Sequence, residues 1–309
     1  MTLAEISRHC YELAQSYLDL DGSTLDGVIN ETQNAIRLTR DYFLEDIFTR
    51  WSPLDGEISF SYNGGKDCQV LLLLYLGCLW EFFVVQAGKS QYALQFQLFP
   101  MHSLPSVFIN LDETFPILYR FINESAARYH LELYESCPQC NDGPCDMPSQ
   151  FRRFLDGPGE GTRAIVIGVR YTDPFGDQLE PIQRTDSNWP DFVRLQPLLH
   201  WRLSNVWSFL LYSGEPISEL YKVGFTSIGS IEGTTPNPHL LRTKHSGARE
   251  KEEGRSPFQW EIDHRYIASA TAREEHSEEW LQSLAEQYLP GWYLTDDSLE
   301  RAGRLKKGK

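Results

Sequence analysis

The chain has no cysteine after Cys145. Chemistry that draws a nucleophilic thiol from the C-terminal half is thereby excluded. Positive charge is also short, with 28 Lys and Arg against 43 Asp and Glu and a formal net charge of −15. Such a surface repels a polyphosphate backbone and argues against a nucleic-acid binder, although a small phosphorylated substrate meets only its pocket. The first residues lack the apolar stretch of a signal peptide. The longest apolar run, Val70 to Trp80, has 11 residues, where a bilayer crossing needs roughly 20. A soluble protein without a membrane partner is expected. Six cysteines in 309 residues point to a reducing compartment, and the cytosol is the default. No repeat, low-complexity tract or long linker interrupts the chain. Nothing marks an obligate protein partner, so a monomer is expected.

What is present is an alternation of elements. Helical spacing of Ile6, Cys10, Leu13 and Tyr17 predicts a first helix, and a second is predicted from about Val28 to Phe48. Short apolar runs at Glu57–Ser61, Ser106–Asn110, Leu131–Tyr134 and Arg163–Gly168 read as strands. Between them, helices are predicted from about Asp67, from Phe115 to Tyr129 and from Met147 to Leu155. This pattern predicts an α/β fold, a mostly parallel sheet with helices on both faces. After Gly168 the texture becomes rich in Asp, Pro, Trp and Gly. One helix is expected at Asn205–Tyr212 with Ser204 as N-cap, and a last one from about Ala272 to Leu289. The division expected is 1–55 as a helical segment packed on the core, 56–200 as a nucleotide-binding core, and 201–309 as a C-terminal elaboration, all in one globular unit.

The sharpest local signal is Ser61-Tyr62-Asn63-Gly64-Gly65-Lys66-Asp67-Cys68, between a predicted strand and a predicted helix. Unpaired amide hydrogens and the helix dipole at such a junction attract an anion, and the two glycines let it approach the backbone. The segment is neither a Gly-x-x-x-x-Gly-Lys-Ser/Thr loop nor a Gly-x-Gly-x-x-Gly fingerprint. A plain tight turn opened by Asp67 is the alternative. The octapeptide resembles the pyrophosphate-binding loop of the adenine nucleotide α-hydrolases, which cleave ATP between the α and β phosphates. Its particular form is similar to that of the eukaryotic, yeast-type FAD synthases related to PAPS reductase, a resemblance running from about residue 55 to the end. It implies that Ser61, Tyr62, Gly64, Gly65 and Lys66 hold nucleotide, with Asn63 and Asp67 in catalysis.

Other segments follow the same resemblance. Asn110-Leu111-Asp112-Glu113-Thr114-Phe115-Pro116 is similar to a stretch lining the nucleotide pocket, where the backbone at Ile109 reads the adenine edge; by itself it is a plain βα turn. Gly168-Val169-Arg170-Tyr171-Thr172-Asp173 follows the fourth strand. There Arg170 is placed to fork onto phosphate oxygens, and the family pattern makes Asp173 catalytic. Pro181 to Phe192 mixes polar groups with Trp and Phe, the combination a flavin ring requires, or else forms a loop anchored by its aromatics. The resemblance assigns Asp186, Trp189 and Arg194 to the isoalloxazine, with Arg184 a further candidate. It assigns Arg301 and Arg304, on one expected helical turn, to phosphate near the reacting centre. His200 reads as structural. Cys137, Cys140 and Cys145 fall one ligand short of a zinc tetrad, and Asn141 to Pro144 reads as an exposed turn.

The resemblance implies FMN adenylyl transfer, in which ATP and FMN give FAD and pyrophosphate by in-line attack of the FMN phosphate on the α-phosphorus. Mg²⁺ would be the cofactor, with Asp67 and Asp173 as candidates for orienting it or its waters; which of them contacts the ion is left open. A PAPS or APS reductase, an RNA-modifying ATP enzyme and a non-catalytic flavin or nucleotide binder are the competing classes.

Overall fold

The apolar strand segments assemble into one sheet of six strands, in the order β3-β2-β1-β4-β6-β5. The computed structural model describes residues 1–21, 27–86, 99–136, 145–242, 256–266 and 279–305. The strands are β1 (Ile58–Ser61), β2 (Leu104–Phe108), β3 (Leu131–Glu135), β4 (Ala164–Val166), β5 (Ile182–Arg184) and β6 (Val193–Leu195). All neighbours pair in parallel except β5 with β6. The chain lays down β1, β2 and β3 outward in one direction, then returns to place β4 on the other side of β1. The reversal makes β1 and β4 a topological switch point, and ligands of open α/β sheets bind in the crevice outside the carboxyl ends of the strands at such a point.

Right-handed crossovers account for the layers. Helices α3 (Lys66–Trp80) and α4 (Pro116–Arg128) follow outward steps and pack on one face; α5 (Met147–Leu155) follows the return step and packs on the other. The two faces are covered unequally. Phe60, Val166 and Leu195 enter the main core with α1 (Leu3–Leu18), α2 (Gly27–Asp41), α3, α4 and α6 (Leu203–Ser213). Val107 and Ile165 belong to a smaller cluster whose other buried members are Phe151 and Phe154 of α5 and Phe192. The expected helices on both faces are present, but one face is thinly sheltered.

Helix α3 is apolar all round because it is enclosed all round, and each fully buried Leu contributes about 1.5–3 kcal/mol. Gly77 allows α1 to cross it closely, since a Cβ there would lie 3.2 Å from the backbone carbonyl carbon of Cys10. The helix also runs further than the 11-residue apolar stretch. It continues through a π-helical turn at Glu81–Gln86, so that Lys66–Val85 is long and apolar enough to cross a membrane by length and composition. Most of that stretch is buried inside the protein, as befits a core helix.

Several expected boundaries move. Strand β2 begins at Leu104, two residues early. Helix α6 begins at Leu203 with Arg202, not Ser204, at its N-cap. Its first amides are met by Asn205, whose Oδ1 accepts from the Arg202 N–H at 2.9 Å, and by Asp297, whose Oδ1 accepts from the Leu203 N–H at 2.8 Å. A tertiary carboxylate has replaced the local cap. The last helix, α8 (Glu279–Gln287), follows α7 (Gln259–Asp263); its expected earlier turns lie outside the described residues. So do Cys137 and Cys140 of the cysteine cluster.

Candidate active site

The glycine loop leaves β1 at the centre of the crevice. Gly64 adopts φ +71°, and a Cβ there would stand 2.8 Å from Ile122 Cγ1 and 3.0 Å from Leu118 Cδ1 of α4. Backbone conformation and packing therefore both require glycine. Asn63 is exposed, and its Oδ1 accepts from the Gly65 N–H at 2.9 Å. That leaves its NH₂ to donate outward. The Lys66 N–H donates to the Tyr221 hydroxyl at 2.9 Å, and burial keeps that phenol protonated, its pKa pushed up to about 12. Gly168 closes the other side, where a Cβ would lie 3.1 Å from the Cys68 nitrogen. The backbone of the β4 loop thus lies directly against the start of α3.

The side chains of three residues expected at the ligand, Tyr62 and Lys66 through the resemblance and Arg170 from its place after the fourth strand, are turned inward. The Tyr62 side chain is fully buried, with its hydroxyl donating to Gln69 Oε1 at 2.7 Å. Lys66 is 2 % exposed, with its ammonium between Asp67 Oδ2 at 3.0 Å and Glu300 Oε1. Arg170, expected to fork onto phosphate, is 0 % exposed and directs three nitrogens to carboxylates: Nε to Asp67 at 2.8 Å, one NH to Asp297 at 3.3 Å and the other to Glu300. The Nε–Asp67 contact is an ion pair without hydrogen-bond alignment. Burial works against both cations, but the charges of Asp67 and Glu300 outweigh it and hold both pKa values above their ordinary range. Lys66 and Arg170 are structural cations under the loop because carboxylates must be paired to be buried at all.

Asp173 sits at the edge of this network, partly exposed, its Oδ2 accepting from the Arg170 N–H at 3.0 Å. Burial, then the charge of Asp67, push its carboxyl above the usual range. With Asp173 counted, two cations face four carboxylates, so the cluster carries excess negative charge beside the loop.

The C-terminal segment completes the crevice. Residues 301–304 form a turn rather than the expected helical turn, with the Arg304 N–H donating to the Arg301 carbonyl at 2.9 Å. Arg301 is exposed. Arg304 is half-buried; its guanidinium occupies the space a Cβ on Gly229 would fill and donates to Thr234 Oγ1 at 3.1 Å. Burial, then the charge of Arg301, pull its pKa down. Thr226 and Asn237 anchor the segment by donating to the carbonyls of Glu300 at 2.6 Å and Leu299 at 2.9 Å.

The segment from Pro181 onward is not irregular throughout: β5 and β6 flank a hairpin loop over 185–192. Its place follows from register. Arg184 pairs with Val193 and Val193 with Ala164, so the loop lies at the amino ends of the parallel strands, about 10 Å along β6 from their carboxyl ends. Arg194 lies opposite Ile165 and Ser61 opposite Val107, which puts Arg194 and Ser61 on the thinly covered face. Ile109 and Trp189 are half-buried against that cluster, the Trp189 ring 5.9 Å from Phe151. Arg194 reaches Asp186 Oδ2 at 3.2 Å, while its Nε is buried with no hydrogen-bond partner among the described residues. Arg184 is exposed and spent on Asp191, its Nε 2.6 Å from Oδ1.

The structure therefore gathers Asn63, Gly64, Gly65, Asp67, Gly168, Asp173, Arg301 and Arg304 around one crevice. Asp186, Trp189 and Arg194 stand apart, further down the same face. Tyr221, Asp297, Glu300 and Gly229 were not read from sequence. Glu300 adjoins the arginine pair and was within reach; Tyr221 and Gly229 sit in a stretch without periodicity.

Among the described residues, no three His, Cys, Asp or Glu side chains converge to hold a metal ion. Asp67, Asp297 and Glu300 are already paired with cations. A divalent ion here fits one carried on phosphate oxygens, with Asp173 as the accessible protein carboxylate.

The model of the phosphoadenosine phosphosulfate reductase domain matches residues 57–146 and 148–236. Flavin adenine dinucleotide synthase of Saccharomyces cerevisiae is 53 % identical over 316 residues, covering 99 % of this chain and 100 % of that protein. The crystal structure of Candida glabrata FMN adenylyltransferase in complex with FAD and inorganic pyrophosphate is 51 % identical with a TM-score of 0.87, over 98 % of this chain and all of that one. The same enzyme with FMN and the ATP analogue AMPCPP gives 49 % and 0.85 over the same shares. The chain belongs to the eukaryotic FAD synthase family, within the phosphoadenosine phosphosulfate reductase-like group.

Proposed function

We propose that this chain is an FMN adenylyltransferase that joins the AMP part of ATP to FMN, releasing pyrophosphate. The observation that carries the site assignment is the strand register. The glycine loop and Arg194, with its orphaned donor, open onto one thinly covered face of the sheet, at opposite ends of its strands. An extended dinucleotide suits that geometry, its flavin beside Arg194, Asp186 and Trp189 and its phosphates at the crevice. A buried donor without a partner costs about 1–3 kcal/mol until a ligand acceptor meets it.

In the reaction, an FMN phosphate oxygen forms a bond to the α-phosphorus as the bond to the β-phosphate breaks, and pyrophosphate leaves with the electron pair. The attacking group is already anionic, so the protein's task is alignment and charge stabilisation rather than proton abstraction. The glycine-loop amides other than those of Gly65 and Lys66, which are bonded within the protein, hold the departing phosphates together with the Asn63 NH₂. Arg301 and Arg304 face the FMN phosphate and the transferring group. Mg²⁺, when bound, supplies charge neutralisation across the phosphates, which the excess carboxylates of the buried cluster make necessary. A cytosolic setting belongs to the proposal, resting on sparse cysteine use and on the free thiols Cys10, Cys68 and Cys78. Burial pushes the Cys68 thiol up to about 12, the opposite of an activated nucleophile for a reductase.

Purified protein with ATP, FMN and Mg²⁺ is expected to form FAD and pyrophosphate in equal amounts, followed by chromatography and by phosphate release in the presence of a pyrophosphatase. FMN binding without FAD would leave a flavin binder instead. Asp173→Ala is expected to lower kcat by about a hundredfold or more while changing the FMN dissociation constant less than about threefold. An unchanged kcat would remove Asp173 from the chemistry.

A further inference from the structure

Glu300 makes no contact with nucleotide or flavin in the scheme above, yet it is 4 % exposed and uses both carboxylate oxygens on buried cations. Oε1 meets Lys66 Nζ and Oε2 meets an Arg170 NH. Lys66 belongs to the glycine loop and Arg170 to the loop after β4; Glu300 is the residue before Arg301. One carboxylate thus joins the three segments that form the crevice. The contacts are long-range, spanning 234 and 130 positions of sequence.

The C-terminal turn is docked on residues 226–237. Its regular backbone pairing, among the described residues, is a single bridge between Thr234 and Arg304. The Glu300 carbonyl is held by Thr226, and Asn237 ties Thr226 to the Leu299 carbonyl. Those bonds dock the strand of chain. They do not relate it to the glycine loop; the ion pair of Glu300 with Lys66 does, while Glu300 and Asp297 both hold Arg170. A guanidinium displaced by about 1 Å from a phosphate can cost a hundredfold in rate, so the register of this turn against the loop matters for catalysis.

We propose that Glu300 is a positioning residue for adenylyl transfer, setting Arg301 against the glycine loop through its ion pairs with Lys66 and Arg170. The inference rests on the adenylyltransferase reading. It also explains why Lys66 and Arg170 face inward, since they hold the carboxylate that sets Arg301.

The test is a double-mutant cycle with Glu300→Gln, Arg301→Ala and the pair, reading kcat/KM for FMN together with thermal unfolding. Glu300→Gln preserves shape and removes charge. It is expected to lower kcat/KM at least about thirtyfold alone but less than about threefold in the Arg301→Ala background, because coupled residues are non-additive. A purely structural role predicts losses that multiply in the two backgrounds, and that result overturns the proposal, as does a single-variant loss under about threefold. If Glu300→Gln fails to fold, Glu300→Asp, which keeps the charge but shortens the reach, takes its place in the same cycle with the same two criteria. Wild-type FAD formation separates the two failures. Its absence overturns the functional reading and this inference with it, whereas its presence with multiplying losses overturns this inference alone.

Discussion

Gly64→Ala is expected to lower kcat/KM for ATP by at least about a hundredfold, in a protein that remains folded. Alanine at φ +71° must enter the left-handed region, at a cost of about 1–2 kcal/mol, and its Cβ would stand 2.8 Å from Ile122 Cγ1. Ile122 is 1 % exposed and Leu118 6 %, so neither has space to retreat. The loop is the freer partner and moves into the crevice, carrying the amides that meet the phosphates. The measurement is steady-state FAD formation against ATP, with circular dichroism to confirm folding. A variant within about threefold of wild type would show that the loop's backbone path is not what grips ATP.

Glu215→Ala is expected to cost about 3 kcal/mol of stability, a fall in Tm of roughly 6–12 °C. The Glu215 carboxylate is fully enclosed. It accepts from Arg128 at 2.9 and 3.0 Å and from the Tyr129 hydroxyl at 2.6 Å, and lies 3.0 Å from His9 Nε2. Tyr129 in turn accepts from Gln69 at 2.8 Å, and Gln69 accepts from Tyr62 of the glycine loop. Removing the carboxylate strands Arg128 and Tyr129 and loosens a chain that ends beneath the nucleotide site. Burial pushes the Glu215 carboxyl up, but the hydrogen bonds from His9 and Tyr129 and the Arg128 charge outweigh it and hold the pKa below the ordinary value. A carboxyl depressed by folding stabilises above its unfolded pKa and loses that contribution as pH falls through the folded value. The gap in urea midpoint between wild type and variant is therefore expected to be wide at neutral pH and to narrow below about pH 4. A gap independent of pH would mean that packing, not charge, is what Glu215 contributes.

How far the sequence could be read depended on the range of the interaction. The strand, glycine turn and apolar helix from Ile58 to Trp80 were legible because each is decided by its immediate neighbours. Helix α5 was read at its observed ends, since Asp146 caps it by accepting from the Ser149 N–H at 2.9 Å. Strands β5 and β6 were missed because three residues are too few to show a period of two, and they exist by pairing with each other and with β4. The cap expected at Ser204 is not the one observed, because Asp297, far along the chain, supplies an oxygen to the helix start that a local side chain would otherwise supply. Lys66 read as a nucleotide ligand through the family resemblance, and Arg170 as a phosphate ligand because it follows the fourth strand at the sheet edge. Their turning inward onto Glu300 and Asp67 is invisible without coordinates.

The sequence by itself determined the alternation of strands and helices from Ile58 to Val166, the glycine junction between the first strand and its helix, and the family to which the chain belongs. These are properties of short segments whose conformation and chemistry depend on residues a few positions apart. Tertiary structure alone decided which carboxylate neutralises which buried cation, which face of the sheet is left thinly covered, and at which end of the strands the 185–192 loop lies. A charge carries no mark of its partner in the sequence. The pairing is chosen when folding removes water from both groups at once, and only the returning chain determines which groups those are.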